Sequence, residues 1–293
     1  MRLGIVANYS HKRTPDIVAD LLRWCDDRGV GVVVDQELRR RSGERYPAFE
    51  TVDRISGVDL VAALGGDGTL LAVARRVGDS GIPIFGVNLG GLGFLTSSLP
   101  ELFPSMEKIA CGDYSTEERM VLKVEAWGED NRKRILHGLN DIVISKGAFS
   151  RIIDLTVCVA DEEVGKFKAD GIIASTPTGS TGYSLSAGGP IIFPTMQVIL
   201  VTPICPHTLA VRPFVIPDDW PITIDLGGRA RDVMLTVDGQ VGEPLNVGRQ
   251  VVISRGGYTI RLVKPFGRTF FSFLQSKLKW VAREEGPADE KRC

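Results

Sequence analysis

The fold of this chain is decided by Val61–Leu70, which reads VAALGGDGTL. The strand predicted at Val58–Leu64 is almost wholly apolar, as is typical of a strand buried on both faces of a parallel sheet. Glycines then make a tight turn, and Thr69–Val77 is predicted to be a helix. A buried strand that passes through such a turn into a helix predicts an open α/β sheet, which binds ligands at the carboxyl ends of its strands.

The segments on either side of this stretch continue the alternation of strand and helix. Further apolar runs predict strands at Leu3–Ala7, Val30–Val34 and Ile82–Val87. Thr14 is predicted to be the N-cap of a helix with Pro15 at its first position, and Gly29 is placed to end that helix. Residues 38–50 are polar and rich in arginine, which predicts a surface loop. This half is therefore expected to be an α/β domain with a parallel sheet.

The pattern changes near residue 115, beyond which apolar residues mostly form short runs with a period of two. Strands are predicted at Val121–Ala126, Asp141–Ser145, Leu155–Val159, Gly171–Ser175, Val198–Thr202, Thr223–Leu226, Val233–Val237, Gln250–Ser254 and Tyr258–Val263. Glycine-containing turns separate several of them. We expect this half to be an all-β, sandwich-like domain.

Four segments are predicted from these patterns. The α/β domain covers residues 1–117 and the β-rich domain covers residues 118–265. Residues 266–280 are rich in phenylalanine and too apolar for a free tail, so they are expected to form a helix that returns to the N-terminal domain. Residues 281–293 are mostly charged and are expected to be a disordered tail.

Composition and charge exclude several classes of protein. The chain has 293 residues, 43% of them hydrophobic and 24% charged, so it can bury a core. A formal charge of −1 gives none of the basic excess of a general nucleic-acid-binding domain. The five cysteines include no Cys-x-x-Cys pair, and no apolar run approaches the length of a membrane span. We therefore expect a cytoplasmic protein that binds neither nucleic acid nor membranes.

The turn at Gly65–Gly68 indicates phosphate chemistry. Backbone N–H groups of glycines can approach phosphate oxygens closely, and the N-terminus of a following helix favours negative charge. A carboxylate in such a turn would repel a phosphate, so Asp67 is better explained as a base for an attacking hydroxyl or as a ligand of metal-bound water. The alternative is a tight turn with a surface aspartate. The sequence has neither a Walker loop nor a complete Gly-x-Gly-x-x-Gly motif.

A second group of polar residues lies in Ser175–Ser184, which reads STPTGSTGYS, and in Lys168–Gly171 before it. Hydroxyl and backbone N–H groups suit a ribose and the edges of a base, and Tyr183 offers a flat ring. The alternative is an ordinary loop of Ser, Thr and Gly. Asn140 and Asp141 precede a predicted strand and could equally be a simple turn.

Taken together, these segments resemble the NAD kinases from residue 3 to about residue 280. The matching motifs are Gly65–Thr69, Gly86–Leu95, Asn140–Asp141, Ala169–Gly171, Ser175–Thr181, Ser186–Ile191, Pro203–His207 with Arg212-Pro213, and Asp238–Gln240. The Gly-Gly-Asp-Gly turn alone is shared with lipid kinases and phosphofructokinases. The loop Thr-Pro-Thr-Gly-Ser-Thr with Ser-Ala-Gly-Gly-Pro is far more specific.

The resemblance implies transfer of the γ-phosphoryl group of ATP, or of a phosphoryl group of polyphosphate, to the 2′-hydroxyl of the adenosine ribose of NAD. It implies a divalent metal, usually Mg²⁺, whose ligands are not assigned, and a homo-oligomer, either a dimer or a tetramer. Asp67 would be the catalytic base. The residues 118–265 would then be a dinucleotide-binding domain.

When the family's substrate-binding residues are carried over to the matching positions of this sequence, the resemblance implies that the following residues bind substrate: Asp67, Gly68, Asn140, Asp141, Arg151, Lys168, Asp170, Thr181, Gly182, Tyr183, Ser184, Leu185, Ser186 and Gln240. Asn140 and Asp141 would hold polar groups of the ribose and base, and Gln240 would complete the site. Two residues depart from the family pattern, since Gly182 replaces the usual Ala and Asp141 replaces the common Glu. Two rival functions remain, a lipid kinase of the diacylglycerol or sphingosine type and a non-catalytic dinucleotide sensor.

Overall fold

A computed structural model describes residues 1–90, 93–147, 152–208, 210–227, 232–246, 248–264, 267 and 269–279 of the chain. Within these ranges, no helix is both long enough and apolar enough to cross a membrane.

The first half is an α/β arrangement around a parallel sheet. Its elements are β1 (Arg2–Ala7), α1 (Thr14–Asp27), β2 (Gly31–Val34), α2 (Gln36–Arg41), β3 (Leu60–Leu64), α3 (Asp67–Val77), β4 (Ile84–Asn88), the short β5 (Ser97–Ser98) and α4 (Leu102–Ala110). The strand order β2-β1-β3-β4 is parallel throughout. All five residues of β3 are buried, as the apolar run predicts. The carboxyl ends of β1, β3 and β4 therefore meet at one edge, where the glycine-rich turn lies.

The second half contains mostly antiparallel strands. They are β6 (Thr116–Trp127), β7 (Lys133–Gly138), β8 (Asp141–Lys146), β9 (Ile153–Val159), β10 (Glu162–Ala169), β11 (Gly171–Ser175), β12 (Val198–Ile204), β13 (Phe214–Pro217), β14 (Ile222–Leu226), β15 (Val233–Val237), β16 (Val241–Pro244) and β17 (Val251–Val263). Two short helices complete it, the four-residue α5 (Tyr183–Ser186) and the C-terminal α6 (Phe270–Leu278).

These strands form two facing sheets. One has the order β13-β12-β11-β8-β15-β16, and the other contains β10, β9, β14 and β17, with β6 and β7 paired beside β17. Alternate residues of each strand point into one shared apolar core, which includes Ile144 and Ile172 from the first sheet and Val157 and Ile253 from the second. A period of two along each strand produces such a sandwich, because successive side chains point to opposite faces.

The long strand β17 connects the two halves. It is antiparallel to β14 and β6, and its far end lies parallel to β4 through the pairing of Leu262 with Ile84. The parallel sheet of the first half and one sheet of the sandwich therefore make a single sheet of eleven strands.

The predicted fold class is confirmed: an α/β half with a parallel sheet is followed by an antiparallel β half and a C-terminal helix. The domain limits at residues 117 and 265 stay a prediction. Helix α6 begins after the N-cap Thr269, and it buries Phe273 and Leu274. The ring centre of Phe270 in this helix lies 5.2 Å from the ring centre of Phe193, which belongs to the second half of the chain. Lys277 Nζ, also in this helix, lies 5.7 Å from the ring centre of Phe94, which belongs to the first half. Trp280 and the predicted tail lie outside the described residues.

Several local predictions were wrong. The segment predicted as a loop at residues 38–50 begins inside α2, because Asp35 caps that helix by accepting a 2.7 Å hydrogen bond from the N–H of Leu38, whose side chain is buried. Thr14 is the first residue of α1 and not its N-cap, since its hydroxyl donates to the Asn8 carbonyl at 2.7 Å. The two strands predicted between residues 250 and 263 are one strand with an irregularity in its pairing to β6.

Candidate functional site

The turn between β3 and α3 places Asp67 at the first position of a helix. Gly66 is the N-cap and has extended backbone. Gly65 continues the strand ladder, since its N–H donates to the Val87 carbonyl at 2.9 Å. Asp67 is half-buried and Gly68 is exposed, so the turn opens to solvent at the edge of the sheet.

The carboxylate of Asp67 is held by the loop that follows β4. Its Oδ2 accepts a hydrogen bond from the Phe94 N–H at 2.9 Å. Its Oδ1 accepts from the Leu95 N–H at 3.2 Å and from the Thr96 hydroxyl at 3.1 Å. A carboxylate offers about four acceptor positions, and among the described residues one hydrogen bond reaches Oδ2, so this oxygen has a position left for a hydroxyl proton while the loop fixes the orientation of the group.

Gly93 permits this close approach. A Cβ added at Gly93 would lie 2.2 Å from Asp67 Oδ1 and 2.1 Å from Thr96 Oγ1, much closer than atoms can pack. Only glycine fits at this position, because any side chain would collide with the Asp67 carboxylate. The second glycine of the motif Gly-x-Gly-Phe-Leu therefore allows the loop to hold that carboxylate.

Asn140 lies against the hydroxyl-rich loop in the second half. The Thr176 N–H donates to the Asn140 carbonyl at 2.9 Å, and the Thr176 hydroxyl donates to the Leu139 carbonyl at 2.6 Å. A Cβ added at Gly179 would lie only 2.0 Å from the Asn140 carbonyl oxygen. The loop 176–181 and residues 139–141 are therefore one packed unit.

A cavity of about 380 Å³ opens beside this unit. It is lined by Asn140, Asp141, Val143, Ser145, Tyr183, Thr236, Asp238 and Gly239. The Tyr183 side chain is 47% exposed, so its ring is available to a ligand. Asn140 Oδ1 is buried and has no hydrogen-bond partner among the described residues, as expected of an acceptor reserved for a ligand.

Two carboxylates share the buried end of this cavity. Asp238 accepts three backbone hydrogen bonds, from the N–H groups of Leu139 at 2.9 Å, Asn140 at 2.7 Å and Asp141 at 3.1 Å. Burial nevertheless raises the pKa of Asp238 above its ordinary value. Burial, together with the charge of Asp238, raises the pKa of Asp141 to about 7. Near neutral pH the Asp141 side chain can therefore either donate or accept a hydrogen bond.

Gln240 connects the second half to the turn that contains Asp67. Its Nε2 donates to the Gly68 carbonyl at 2.6 Å, and its Oε1 accepts from Arg75 Nη2 at 2.9 Å. The predicted residues Asp67, Gly68 and Gln240 are thus brought together by the fold.

The predicted loop residues 181–186 differ in their surroundings. Gly182 lies against the site, since an added Cβ would be 3.5 Å from Asn140 Nδ2 and 3.6 Å from Asp141 Oδ2. Ser184 is buried, and its hydroxyl lies 2.8 Å from that of Thr202, so this residue holds the loop to β12. Thr181 and Leu185 are half-buried, whereas Ser186 is exposed.

Lys168 lies in β10 of the eleven-stranded sheet, and Asp170 lies between β10 and β11, beside the end of β8 that is opposite to Asp141. Asp170 is paired with Lys146 at 2.9 Å, and the exposed Lys168 lies 3.8 Å from Asp154. Lys146 ends β8 and Asp141 begins it, so the two ends are about 17 Å apart at ~3.4 Å per residue. Asp170 therefore lies beside the end of β8 that is far from Asp141, and Arg151 lies outside the described residues.

The sequence predictions did not assign a role to Asp238 or to the loop from Phe94 to Thr96. Asp238 stands before a glycine between two strands, which indicates only a hairpin turn, and its hydrogen-bond partners are nearly one hundred residues away. Within the described ranges, no three His, Cys, Asp or Glu side chains cluster closely enough to bind a metal ion.

The sequence of this chain matches family models and known proteins along most of its length. Residues 3–114 match the family model described as the ATP-NAD kinase N-terminal domain, and residues 139–265 match the ATP-NAD kinase C-terminal domain. The NAD kinase of Geotalea daltonii is 46% identical over 283 residues, covering 96% of this chain and 99% of the relative. The NAD kinase of Syntrophotalea carbinolica is 43% identical over the same shares of the two chains.

Two solved structures share the fold. The yeast NADH kinase in complex with NADH has a TM-score of 0.88 and 25% identity, over 96% of this chain and 88% of that one. An NAD kinase from Archaeoglobus fulgidus in complex with ATP has a TM-score of 0.75 and 24% identity, over 96% of this chain and all of that one.

Proposed function

This chain belongs to the NAD kinase family and phosphorylates NAD to NADP, and we propose that Asp67 accepts the proton of the attacking 2′-hydroxyl. The observation that supports this role is that the Asp67 carboxylate is held in one orientation at the carboxyl ends of the parallel strands. Three donors from the loop after β4 orient it, and Oδ2 keeps an acceptor position free.

The proposed step moves one proton and exchanges one phosphorus–oxygen bond for another. The ribose oxygen bonds to the γ-phosphorus of ATP, the bond between that phosphorus and the bridging oxygen of ADP breaks, and the hydroxyl proton passes to Asp67. A hydroxyl is a poor nucleophile while it keeps its proton, so a carboxylate within hydrogen-bond distance lowers the barrier.

The donor phosphates would be held by the turn that surrounds Asp67. The N–H groups of Thr69 and Leu70 donate to the carbonyl of the N-cap Gly66 at 3.0 and 3.3 Å, so the N–H groups of Asp67 and Gly68 are the ones that would meet a phosphate, and the helix N-terminus carries partial positive charge. The family description as ATP-NAD kinases supports ATP as the donor, and polyphosphate is the alternative.

NAD would occupy the cavity beside Asn140, Asp141 and Tyr183. The unpartnered Asn140 Oδ1 suits an amino or hydroxyl group of the ligand, and the exposed Tyr183 ring suits a base or ribose face. The cavity extends along β8 to Ser145, toward Asp170 and Lys168. Asp170 and Lys168 would therefore meet the part of the dinucleotide farthest from Asn140, and the family resemblance adds Arg151 to them.

The family's phosphoryl transfer generally requires a divalent metal, and we propose Mg²⁺. Mg²⁺ is usually bound by one or two carboxylates together with substrate phosphates, so a cluster of several acidic side chains is not needed. The ligands of the ion would be mainly phosphate oxygens and water, because the open position on Asp67 Oδ2 is needed for the hydroxyl proton, and the metal would neutralise charge on the donor phosphates. We further propose that the enzyme is a homo-oligomer, a dimer or a tetramer, and works in the cytoplasm, which suits the free thiols of Cys25, Cys111, Cys158 and Cys205.

The proposal is tested by measuring NADP formation with Asp67→Asn beside the wild-type enzyme, with ATP and with polyphosphate. Asparagine has nearly the same shape but is not a base, so turnover should fall by about 10²–10⁴-fold, the usual effect of losing a general base. NAD binding, measured by calorimetry, should weaken only modestly. A variant that turns over NAD at close to the wild-type rate would show that Asp67 is not the proton acceptor.

Two controls accompany this assay. Titrating Mg²⁺ distinguishes a lost base from a disturbed metal site, because higher metal concentration would restore turnover only in the second case. Offering diacylglycerol or sphingosine beside NAD distinguishes the acceptor, and the polar side chains in the cavity wall, such as Asn140, Asp141 and Ser145, favour NAD.

A further inference from the structure

Arg119 is a buried arginine in β6, the strand that carries the chain from the first half to the second. Its side chain is 12% exposed, and its Nη2 donates a hydrogen bond to the carboxylate of Glu117 in the same strand. A buried charge is costly unless it is paired and hydrogen-bonded, so the ion pair with Glu117 holds the guanidinium group in place.

Arg119 lies on the part of β6 that is packed with the first half. Its partner strand β17 passes from one core to the other, since Ile253 lies in the core of the sandwich and Ile260 lies in an apolar cluster with Leu70 of α3. Arg119 is the direct neighbour of Ile260 across the two strands. The position of Arg119 is therefore tied to α3, the helix that begins with Asp67.

The second hydrogen-bond partner of Arg119 belongs to the other half. Arg119 Nη1 donates at 3.3 Å to the hydroxyl of Thr178, which is 3% exposed and begins one turn of 3₁₀ helix, Thr178–Thr181. The Thr181 hydroxyl donates back to the Thr178 carbonyl at 3.3 Å, and Tyr183 follows two residues later. Thr178 therefore belongs to the loop 176–181, which is packed against residues 139–141 beside the NAD cavity.

We infer that Arg119 is a positioning residue, whose bond to Thr178 fixes the NAD-binding loop relative to the half that contains Asp67. The inference rests on the proposed NAD cavity. The loop is held to Asn140 by its own bonds, so the cavity keeps its shape without Arg119, whereas its distance from the Asp67 turn depends on the link across β6. Misplacement of reacting groups by about 1 Å can cost up to ~10²-fold in rate.

The test compares Thr178→Val, Thr178→Ser and Thr223→Val in the full-length enzyme. Valine replaces the hydroxyl with a methyl group of similar size and leaves the ion pair between Arg119 and Glu117 intact. Serine keeps the hydroxyl and should restore the link. Thr223 is the matched control, since it is a half-buried threonine in β14, where its neighbours across the sheet are Cys158 and Val252.

Thr178→Val should lower kcat by about 3–30-fold, within the range that misplacement of reacting groups produces. The calorimetric Kd for NAD should stay within about twofold, because the cavity wall is unchanged. Thr178→Ser and Thr223→Val should both stay within about twofold of the wild-type kcat. A raised Kd with unchanged kcat would make the Thr178 hydroxyl a substrate contact, and an equal loss of kcat in the valine and serine variants would make it a packing residue; either result overturns the inference.

A double variant tests whether Arg119 acts through Thr178. Arg119→Met keeps a long apolar side chain but cannot donate a hydrogen bond, so it should lower kcat in the wild-type background. In the Thr178→Val background it should lower kcat by no more than about twofold further, because residues that act as a unit are not additive. An equal loss in both backgrounds would mean that Arg119 acts through another contact, which overturns the inference.

Failure of this inference and failure of the proposed base give different results. Near wild-type turnover by Asp67→Asn would overturn the base and would leave the loss of kcat in Thr178→Val in place. Unchanged kcat in Thr178→Val, beside a slow Asp67→Asn variant, would overturn only the role of Arg119.

Discussion

The backbone N–H of Phe94 donates a hydrogen bond of 2.9 Å to Oδ2 of Asp67, which ties the loop after β4 to the turn after β3. These two loops follow neighbouring parallel strands, so their ends meet at one edge of the sheet. Two of the three groups that orient the proposed base are backbone N–H groups, which are set by the fold and not by the identity of the side chains at positions 94 and 95; the third is the Thr96 hydroxyl.

Gly93→Ala should displace this loop. The added Cβ would fall 2.2 Å from Asp67 Oδ1, so either the carboxylate or the loop must move. We expect kcat to fall by about 10–100-fold, as for other small misplacements of a catalytic group. Steady-state kinetics measures the effect. Gly165→Ala is the control, because nothing lies within 4 Å of its Cβ position. Unchanged kcat in Gly93→Ala would contradict the importance of this contact.

Asp141→Asn should change how stability depends on pH. The folded pKa of Asp141, about 7, lies above the ordinary value of 3.8. The group therefore contributes stability that is full below about pH 4 and is lost as the pH rises through 7. Between pH 5.5 and 8 the wild type should lose on the order of 2 kcal/mol of unfolding free energy that the variant does not lose.

Urea unfolding at the two pH values measures this difference, with Asp219→Asn as a control for the change in charge at an exposed position. If wild type and Asp141→Asn lost equal stability between pH 5.5 and 8, Asp141 would not titrate in this range.

Tyr183→Ala should weaken the binding of NAD more than that of the phosphoryl donor. The exposed ring lies on the wall of the proposed NAD cavity, and loss of one such contact costs about 1–3 kcal/mol. The KM for NAD should therefore rise by about 5–150-fold. Tyr183→Phe keeps the ring and should stay close to the wild type. A change confined to the KM for ATP would assign this loop to the donor.

Phe273→Ala should destabilise the protein, whereas Phe271→Ala should not. Phe273 is 5% exposed and Phe271 is 62% exposed, although both belong to α6. Truncating a buried phenylalanine costs about 3–5 kcal/mol, whereas surface changes stay mostly within ~0.5 kcal/mol. Thermal unfolding of both variants measures the contrast. Equal melting temperatures would show that α6 contributes little to stability.

Most of the fold could be predicted from the sequence because the decisive signals are local. The apolar run before Gly65 marks a buried strand, and the alternation in Leu155–Val159 marks a strand with one buried face. Helix α2 was not predicted because its only strong signal is the cap at Asp35, which the run Arg39–Arg41 obscures.

The site was predicted less completely, because its contacts join distant parts of the chain. Asp67 stands out because a carboxylate is unexpected in a phosphate-binding turn. Its partners Leu95 and Thr96 are 28 and 29 residues away, and the Gly68–Gln240 bond spans 172 residues. The spacing of apolar residues along the chain does not predict hydrogen bonds between residues so far apart in sequence. The family resemblance named Gln240 without indicating which group it meets.

The pairing of Leu262 with Ile84 also sets the order in which the molecule can be completed during translation. When β1 to β4 leave the ribosome, one side of β4 still lacks the neighbour that β17 provides, and that strand is synthesised about 180 residues later. A contact between segments so distant along the chain slows folding, because a long loop must close before the contact forms. The nascent first half must therefore wait for almost the whole chain before its sheet is complete.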